Sequence, residues 1–172
     1  YNRVGDRMKE IIRTEQVSRT LKRITHEIIE RNGELDDVVL IGIMKKGMPI
    51  AKILQENLKR FADIDVPLFA LSIHAYRDDV LEKIDPEIQI PNINQKIVIL
   101  VDDVLYTGRS VRAAMDAVSD HGRPKQIQLA ILIDRGHREL PIRADYIGKN
   151  IPTNRQEKVF VDSDKNAVYI LS

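Results

Sequence analysis

The alternation of apolar and polar positions divides the chain into amphipathic stretches and short apolar runs. Over residues 16–31, apolar side chains recur at three- and four-residue steps from Val17 to Ile28, which is typical of an amphipathic helix. Residues 38–43 then form an apolar run rich in β-branched side chains, which indicates a strand. The first recognisable unit is therefore a helix followed by a strand.

Helices and strands continue to alternate further along the chain. Pro49 opens a second helical pattern that runs to about residue 60, and a third helix is predicted from about Arg109 to His121, where Gly122 stops it. Further apolar strands are predicted over residues 66–73, 97–101 and 126–133. This alternation favours an α/β fold with a mainly parallel sheet and right-handed crossovers. Ligands of such a sheet bind where its strands end.

One long segment, at about residues 74–94, interrupts the alternation. It is polar and acidic, and Pro86 and Pro91 break it. Segments of this length inside a compact domain are commonly lids over a functional site. We expect an excursion over the ligand site, in the form of a flexible hairpin.

Composition narrows the class of protein. With 172 residues and 43% hydrophobic content, the chain can bury one sizeable core, and we expect one domain over residues 1–172. The absence of cysteine excludes disulfides, cysteine-based zinc sites and a cysteine nucleophile. Because there is no apolar run of membrane-spanning length and no signal-like apolar start, we expect a cytoplasmic protein.

The net charge of +1 hides an uneven distribution, since both ends of the chain are basic and the middle is acidic. If the two basic ends meet in the fold, they form a cationic face suited to a polyanion. The alternative is ordinary solvated charge.

The most informative segment is residues 98–110, in which an apolar run leads into two aspartates and a Thr-Gly-Arg-Ser turn before a helix. Asp102 and Asp103 are placed to accept hydrogen bonds from ribose hydroxyls, directly or through a hydrated Mg²⁺. Residues 107–110 offer N–H groups and hydroxyls at a helix start, where a phosphate binds well. A ligand-free turn at a strand edge is the alternative, but the order of these parts favours a ribose phosphate.

This segment resembles the phosphoribosyl pyrophosphate motif of the type I phosphoribosyltransferases. Two flanking runs, Ala-Tyr-Arg-Asp-Asp at 75–79 and Asp-Arg-Gly-His-Arg-Glu-Leu-Pro-Ile-Arg-Ala-Asp-Tyr-Ile-Gly-Lys at 134–149, are similar to the PyrR family of pyrimidine-operon attenuators. The resemblance extends from the first helix to about Val161. It implies the type I phosphoribosyltransferase fold, a mainly parallel central sheet flanked by helices, with a flexible hairpin lid and a small hood formed by C-terminal segments.

The resemblance implies two activities. One is uracil phosphoribosyltransferase, in which uracil N1 displaces pyrophosphate from C1 of phosphoribosyl pyrophosphate (PRPP), with Mg²⁺, to give UMP. The other is binding of a pyr mRNA leader hairpin when UMP or UTP is bound, which promotes transcription attenuation. A homodimer or higher oligomer is also implied. A plain metabolic nucleobase phosphoribosyltransferase without RNA binding, and a nucleotide sensor without turnover, are the alternatives.

Residues of the nucleotide site are assigned by the same resemblance. Catalysis is expected from Asp102, Asp103 and Arg77, and the two aspartates are expected to hold the metal through water or substrate. The PRPP contacts are expected at Asp102, Asp103, Val104, Leu105, Tyr106, Thr107, Gly108, Arg109 and Ser110. The pyrophosphate loop is expected at Met44, Lys45, Lys46 and Gly47, the lid at Tyr76, Arg77 and Asp78, and the uracil contacts at Arg135, Ile151 and Pro152.

The pyrophosphate loop departs from the family pattern, because Lys45-Lys46-Gly47 stands where the family has Thr-Arg-Gly. Lysine meets phosphate as a point charge and lacks the two-pronged hydrogen bonding of arginine. A low transferase rate is therefore an expectation, and two solvated loop charges are the alternative.

Two cationic clusters are expected to form an RNA-binding surface. Lys22, Arg23 and His26 fall on the polar side of the first predicted helix. By resemblance they adjoin a second cluster, formed by His137, Arg138, Arg143 and Lys149. Cationic side chains contact RNA phosphates, and Arg and His also stack on unpaired bases. Aromatic residues are scarce in these segments, and a solvated helix face with a charged loop is the alternative.

Overall fold

A computed structural model of the chain describes residues 8–73 and 92–172. Helices and strands alternate through most of it, as the sequence pattern predicts. In chain order they are β1 (Met8–Ile12), α1 (Thr14–Asn32), β2 (Val38–Ile43), α2 (Gly47–Ala62), β3 (Leu68–Leu71), β4 (Ile97–Leu105), α3 (Arg109–His121), β5 (Gln126–Asp134), β6 (Tyr146–Asn150), β7 (Lys158–Asp162) and β8 (Ala167–Leu171).

The larger sheet has five parallel strands in the order β3-β2-β4-β5-β6. Helices α1 and α2 cover one face, where Leu21, Ile28 and Leu54 belong to one buried cluster, while α3 covers the other face through a second cluster. Strand β2 is buried along its whole length, as expected for a strand with helices on both faces. The α/β fold with a mainly parallel, helix-flanked sheet is confirmed.

Strand β4 is longer than the apolar pattern indicates. The sequence predicts an end near Val101, but the strand continues to Leu105. Its pairing with β2 stops at the Gly42 and Val101 pair, whereas its pairing with β5 continues to Leu105 and Asp134. Beyond Val101, β4 therefore pairs with β5 on one side, while the edge that faced β2 is no longer paired with that strand.

A second, three-stranded antiparallel sheet has the order β1-β8-β7. The sequence leads us to expect a hood formed by C-terminal segments, and we use the name hood for this sheet, which also includes an N-terminal strand, since β1 pairs along β8. The sequence pattern also missed β6. This strand is short and contains Gly148, where a Cβ would overlap the carbonyl oxygen of Leu132 in β5. Close packing of two backbones thus requires a residue that weakens the strand pattern.

No helix in the described ranges is long and apolar enough to cross a membrane.

Candidate functional site

The strand order creates a crevice at the carboxyl edge of the larger sheet. From β2 the chain moves outward to β3, whereas from β4 it moves the other way, through β5 to β6. Ligands of open α/β sheets bind in the crevice where the order reverses in this way. A cleft of about 330 Å³ lies at this point. Its lining residues are Ile43, Met44, Lys45, Lys46, Ser72, Ile73, Asp102, Asp103 and Ser110.

The two aspartates of the cleft lie on the part of β4 that β2 leaves open. The Asp102 carboxylate accepts a hydrogen bond from the backbone N–H of Asp103 (2.8 Å), and the Asp103 carboxylate accepts one from the N–H of Val104 (2.7 Å). Asp102 is only 8% exposed. Burial first, and the charge of Asp103 second, raise the pKa of Asp102 well above its ordinary value. Negative charge is therefore costly here, and a cation or sugar hydroxyls would stabilise it.

These carboxylates suit a metal ion that arrives with its substrate. Within residues 8–73 and 92–172, no group of three or more His, Cys, Asp or Glu side chains is arranged to hold a metal ion. Mg²⁺ commonly binds through one or two carboxylates and fills its remaining positions with water and substrate oxygens. Asp102 and Asp103 fit that pattern, with both carboxylates lining one cleft.

The expected phosphate loop connects β4 to α3. Gly108 has a φ of 94°, a left-handed conformation that suits glycine, and its carbonyl accepts the helical hydrogen bond from the N–H of Arg112 (2.9 Å). The Thr107 hydroxyl accepts a hydrogen bond from the N–H of Arg109 (3.3 Å), and Ser110 lines the cleft. Free N–H groups of a first helical turn are a favourable place for a phosphate.

The segment after β5 holds this loop in place by donating hydrogen bonds to the backbone carbonyl groups of residues 105–107. The N–H of Arg135 donates to the carbonyl of Leu105 (3.1 Å), and the N–H groups of Glu139 and Leu140 donate to that of Thr107 (2.9 and 3.2 Å). The carbonyl of Tyr106 accepts a hydrogen bond from the Arg138 guanidinium (2.6 Å). The position of the phosphate loop is therefore set by a segment distant in sequence.

The expected pyrophosphate loop packs directly against β4. At Gly47 a Cβ would overlap the carbonyl oxygen of Val101, so only glycine fits. The two lysines before it differ. Lys46 donates a hydrogen bond to the carbonyl of Val161 (3.4 Å), and its Nζ lies 4.7 Å from the centroid of the Phe160 ring, both in the hood. The Lys45 side chain has no hydrogen-bond or ion-pair partner in the described part of the chain.

A second cleft, of about 410 Å³, lies beyond β5 and β6 and contains all three residues expected to contact uracil. Its lining residues are Asp134, Arg135, Gly136, His137, Arg138, Asn150, Ile151, Pro152 and Thr153. Arg135 is 7% exposed and fixes one wall, since its guanidinium donates to the Thr153 hydroxyl (3.1 Å) and to the carbonyls of Asn154 (3.0 Å) and Glu157 (2.6 Å). The same guanidinium lies 4.1 Å from the centroid of the Tyr106 ring.

The two cationic clusters lie on neighbouring elements. The Arg23 guanidinium donates to the carbonyls of Ile147 (3.0 Å) and Gly148 (2.6 Å), which brings α1 against β6 and its exposed Lys149. Arg23 also forms an ion pair with Glu27 (2.7 Å). Of the three cluster members on α1, Arg23 is therefore bound to β6, whereas Lys22 and His26 form no hydrogen bond with that strand.

The members of the second cluster are not equivalent. Arg138 is largely enclosed and bonds the carbonyls of Tyr106 (2.6 Å) and Ile142 (2.9 Å) as well as the carboxylate of Asp134 (2.6 Å). His137 bonds the carbonyl of Thr153 through a ring nitrogen. Arg143 and Lys149, by contrast, are exposed. Part of this cluster therefore builds the second cleft and holds the loop after β4, and part of it faces outward.

Several lining residues were not found by sequence reasoning. Ser72 and Ile73 reach the first cleft because β3 ends beside β2, and Asn150 lines the second. None of them belongs to a recognisable motif, although Ser72 does follow an apolar run at the expected edge. The lid residues Tyr76, Arg77 and Asp78 lie outside the described residues.

Comparisons with known proteins agree with this architecture. The phosphoribosyl transferase domain family matches residues 8–163. A bifunctional protein PyrR from Enterococcus faecalis is 55% identical over 161 residues, covering 91% of this chain and 90% of that protein. One from Streptococcus thermophilus is 54% identical over 153 residues, covering 89% and 88%. A hypoxanthine-guanine phosphoribosyltransferase structure from Bacillus anthracis has a TM-score of 0.70 at 26% identity and covers 84% of each chain.

Proposed function

Because the chain belongs to the phosphoribosyl transferase domain family, and within it to the bifunctional PyrR proteins, we propose that it has two linked functions. It makes UMP and pyrophosphate from uracil and PRPP, and it regulates pyrimidine genes by binding a pyr mRNA leader when UMP or UTP occupies the same site. As one phosphoribosyltransferase domain with a hood, it acts in the cytoplasm as a homodimer or higher oligomer.

The observation that carries the transferase function is the cleft where the strand order reverses. There, Asp102 and Asp103 can accept hydrogen bonds from the ribose 2′- and 3′-hydroxyls, while the start of α3 binds the 5′-phosphate through N–H groups. Lys45 lines the same cleft and can meet the pyrophosphate. Sugar, phosphate and leaving group thus have separate partners within one crevice.

Catalysis then depends on positioning and on charge stabilisation. The bond between uracil N1 and C1 forms as the bond from C1 to pyrophosphate breaks, and the N1 proton is released to water. Negative charge grows on pyrophosphate, where Lys45 opposes it, while positive charge on the sugar is opposed by the two carboxylates. Mg²⁺, when bound with PRPP, would neutralise pyrophosphate oxygens and offset the cost of ionising the buried Asp102.

The second cleft supports the choice of a base as acceptor. Ile151 and Pro152 offer an apolar wall to a planar ring, and backbone groups beside them can read the O2, N3 and O4 edge of uracil. Arg135 holds this wall through three hydrogen bonds, which suits a positioning role.

The regulatory function is supported by the basic side chains that remain at least partly exposed. Arg143 and Lys149 lie on the segments around β6, and Lys22 and His26 lie on the neighbouring α1. Such side chains bind RNA phosphates, and His and Arg can also stack on unpaired bases.

A plain metabolic enzyme is the second candidate, because a solved relative at 26% identity is named a hypoxanthine-guanine phosphoribosyltransferase. Incubation with PRPP, Mg²⁺ and labelled uracil, hypoxanthine or guanine separates the two. We expect a nucleotide product from uracil and none from either purine. Product from a purine without product from uracil would overturn the assignment of the substrate.

A further inference from the structure

An exposed aromatic pair joins the two helices on one face of the larger sheet. Phe61, near the end of α2, keeps 38% of its surface exposed. Its ring packs on that of His26 in α1, with 4.8 Å between the centroids and 43° between the planes. The Arg60 guanidinium lies 5.4 Å from the centroid of the Phe61 ring. A planar apolar surface is thus bordered by a cation.

This pair continues a row of basic side chains on α1. Arg19, Lys22, Arg23 and His26 follow one another at three- and four-residue steps, so they occupy one face of the helix over about 10 Å. One turn beyond His26, the exposed Glu30 ends the row. A phosphate bound at this end of the row would be repelled by the Glu30 carboxylate, whereas an uncharged planar group would not.

Phe61 is peripheral to the main packing between the helices. The contact between α1 and α2 is made by fully buried side chains such as Ile28 and Leu54, and by a hydrogen bond from the Asn57 amide to the Thr25 hydroxyl (3.2 Å). The acidic groups after α2 are already paired, because Lys59 contacts both Asp63 (3.1 Å) and Asp65 (3.4 Å). Phe61 lies at the outer edge of this contact.

We propose that Phe61 and His26 form a stacking platform for one unpaired base of an RNA hairpin loop, with the adjoining phosphates bound by Lys22 and Arg60. The inference rests on the proposed RNA-binding function, to which it adds an aromatic contact. Proteins hold single-stranded RNA by stacking bases on aromatic rings between cationic side chains. A platform at the end of the row of basic side chains supplies both.

Filter binding of a synthetic hairpin from a pyrimidine-operon leader tests the platform, with wild type, Phe61→Ala, Phe61→Trp and Phe160→Ala. We expect Phe61→Ala to weaken binding at least about fivefold, since a stacked base contributes at least that much. The slope of log Kd against log salt should stay unchanged, because stacking releases no counterions. Phe61→Trp should retain wild-type affinity. Phe160→Ala removes a phenylalanine of similar exposure (40%) from the hood and should leave RNA affinity unchanged.

Hairpins with one loop nucleotide at a time made abasic sharpen the test. Wild type should lose affinity at one position, and Phe61→Ala should lose nothing further there. If Phe61→Ala does not fold, Phe61→Leu keeps the apolar contact without a stacking ring and should show the same loss.

The outcomes separate the platform from the function on which it rests. A Phe61→Ala affinity within about twofold of wild type, alongside weaker binding by Lys22→Ala, would overturn the platform and leave RNA binding intact. If wild type does not bind the hairpin, both proposals fall.

Discussion

The cleft at the carboxyl edge of the larger sheet, where we propose that the nucleotide binds, and the cationic face of α1 use charge in opposite ways. In the cleft, Asp102 is buried, Gly47 packs against a carbonyl, and the phosphate loop is held by hydrogen bonds to its backbone. On α1, Lys22 is only partly buried and His26 is exposed. One region is built from enclosed backbone, and the other from side chains that reach into solvent.

This difference determines how each region responds to change. A small displacement in an enclosed site can cost about 100-fold in rate, because the reacting groups no longer meet. Each exposed cation contributes a small amount to RNA affinity, and salt screens it. Substitutions in the cleft should therefore have large effects on transferase activity and small ones on RNA binding measured without nucleotide, with the reverse on α1.

The largest effect is expected from Gly47→Ala. The added methyl group would overlap the carbonyl oxygen of Val101, so the pyrophosphate loop must move away from β4. We expect kcat/KM for uracil phosphoribosyltransferase to fall by roughly 100-fold or more, with a loss of about 1–3 kcal/mol in the free energy of unfolding. RNA affinity without nucleotide should change less than about threefold under the same conditions, and an equal loss in both assays would contradict the separation of the two regions.

Asp103→Asn should have the next largest effect. The substitution removes a charge beside the proposed ribose and metal positions with little change in the size of the side chain. Calorimetric titration with PRPP and Mg²⁺ should show binding weakened by about tenfold or more, the usual scale for a lost charge-assisted hydrogen bond. RNA binding measured without nucleotide serves as the control and should match wild type.

A comparison of Arg138→Ala with Arg143→Ala probes where the regions meet. Arg138 bonds the carbonyl of Tyr106 in the phosphate loop, whereas Arg143 is exposed. We expect Arg138→Ala to weaken both UMP binding and RNA binding several-fold, and Arg143→Ala to weaken RNA binding alone. Unchanged UMP affinity in Arg138→Ala would show that this hydrogen bond does not position the loop.

The smallest effect is expected in the stability of Asp102→Asn. Because the pKa of Asp102 is raised in the folded state, ionising the carboxyl destabilises the fold as pH rises above its ordinary unfolded value near 4. The Asn variant should therefore melt a few degrees higher than wild type at pH 7, and this gain should disappear as pH falls toward 4. Thermal melts from pH 4 to 8 measure this, and Lys22→Ala should show no such trend.

The fold and the first cleft follow closely from local sequence signals. The apolar run of β4, its aspartate pair and the start of α3 lie next to one another in sequence, so their arrangement is determined locally. The β1 and β8 pairing joins the two ends of the chain, and no local pattern signals it.

The roles of individual arginines and lysines were harder to predict. Arg138 and Arg143 lie five positions apart in one basic run, yet tertiary contacts enclose the first and leave the second exposed. Lys45 and Lys46 differ for the same reason, since only Lys46 meets the hood. Burial of a charged side chain depends on elements that are distant in sequence.

The central claim is that one chain senses a uridine nucleotide and binds RNA in response. Filter binding of a pyrimidine-operon leader hairpin, with and without saturating UMP and at several salt concentrations, tests it most directly. We predict that UMP tightens binding by about fivefold or more at each salt concentration, the usual scale of coupling between two sites. Equal affinity with and without UMP would contradict the account.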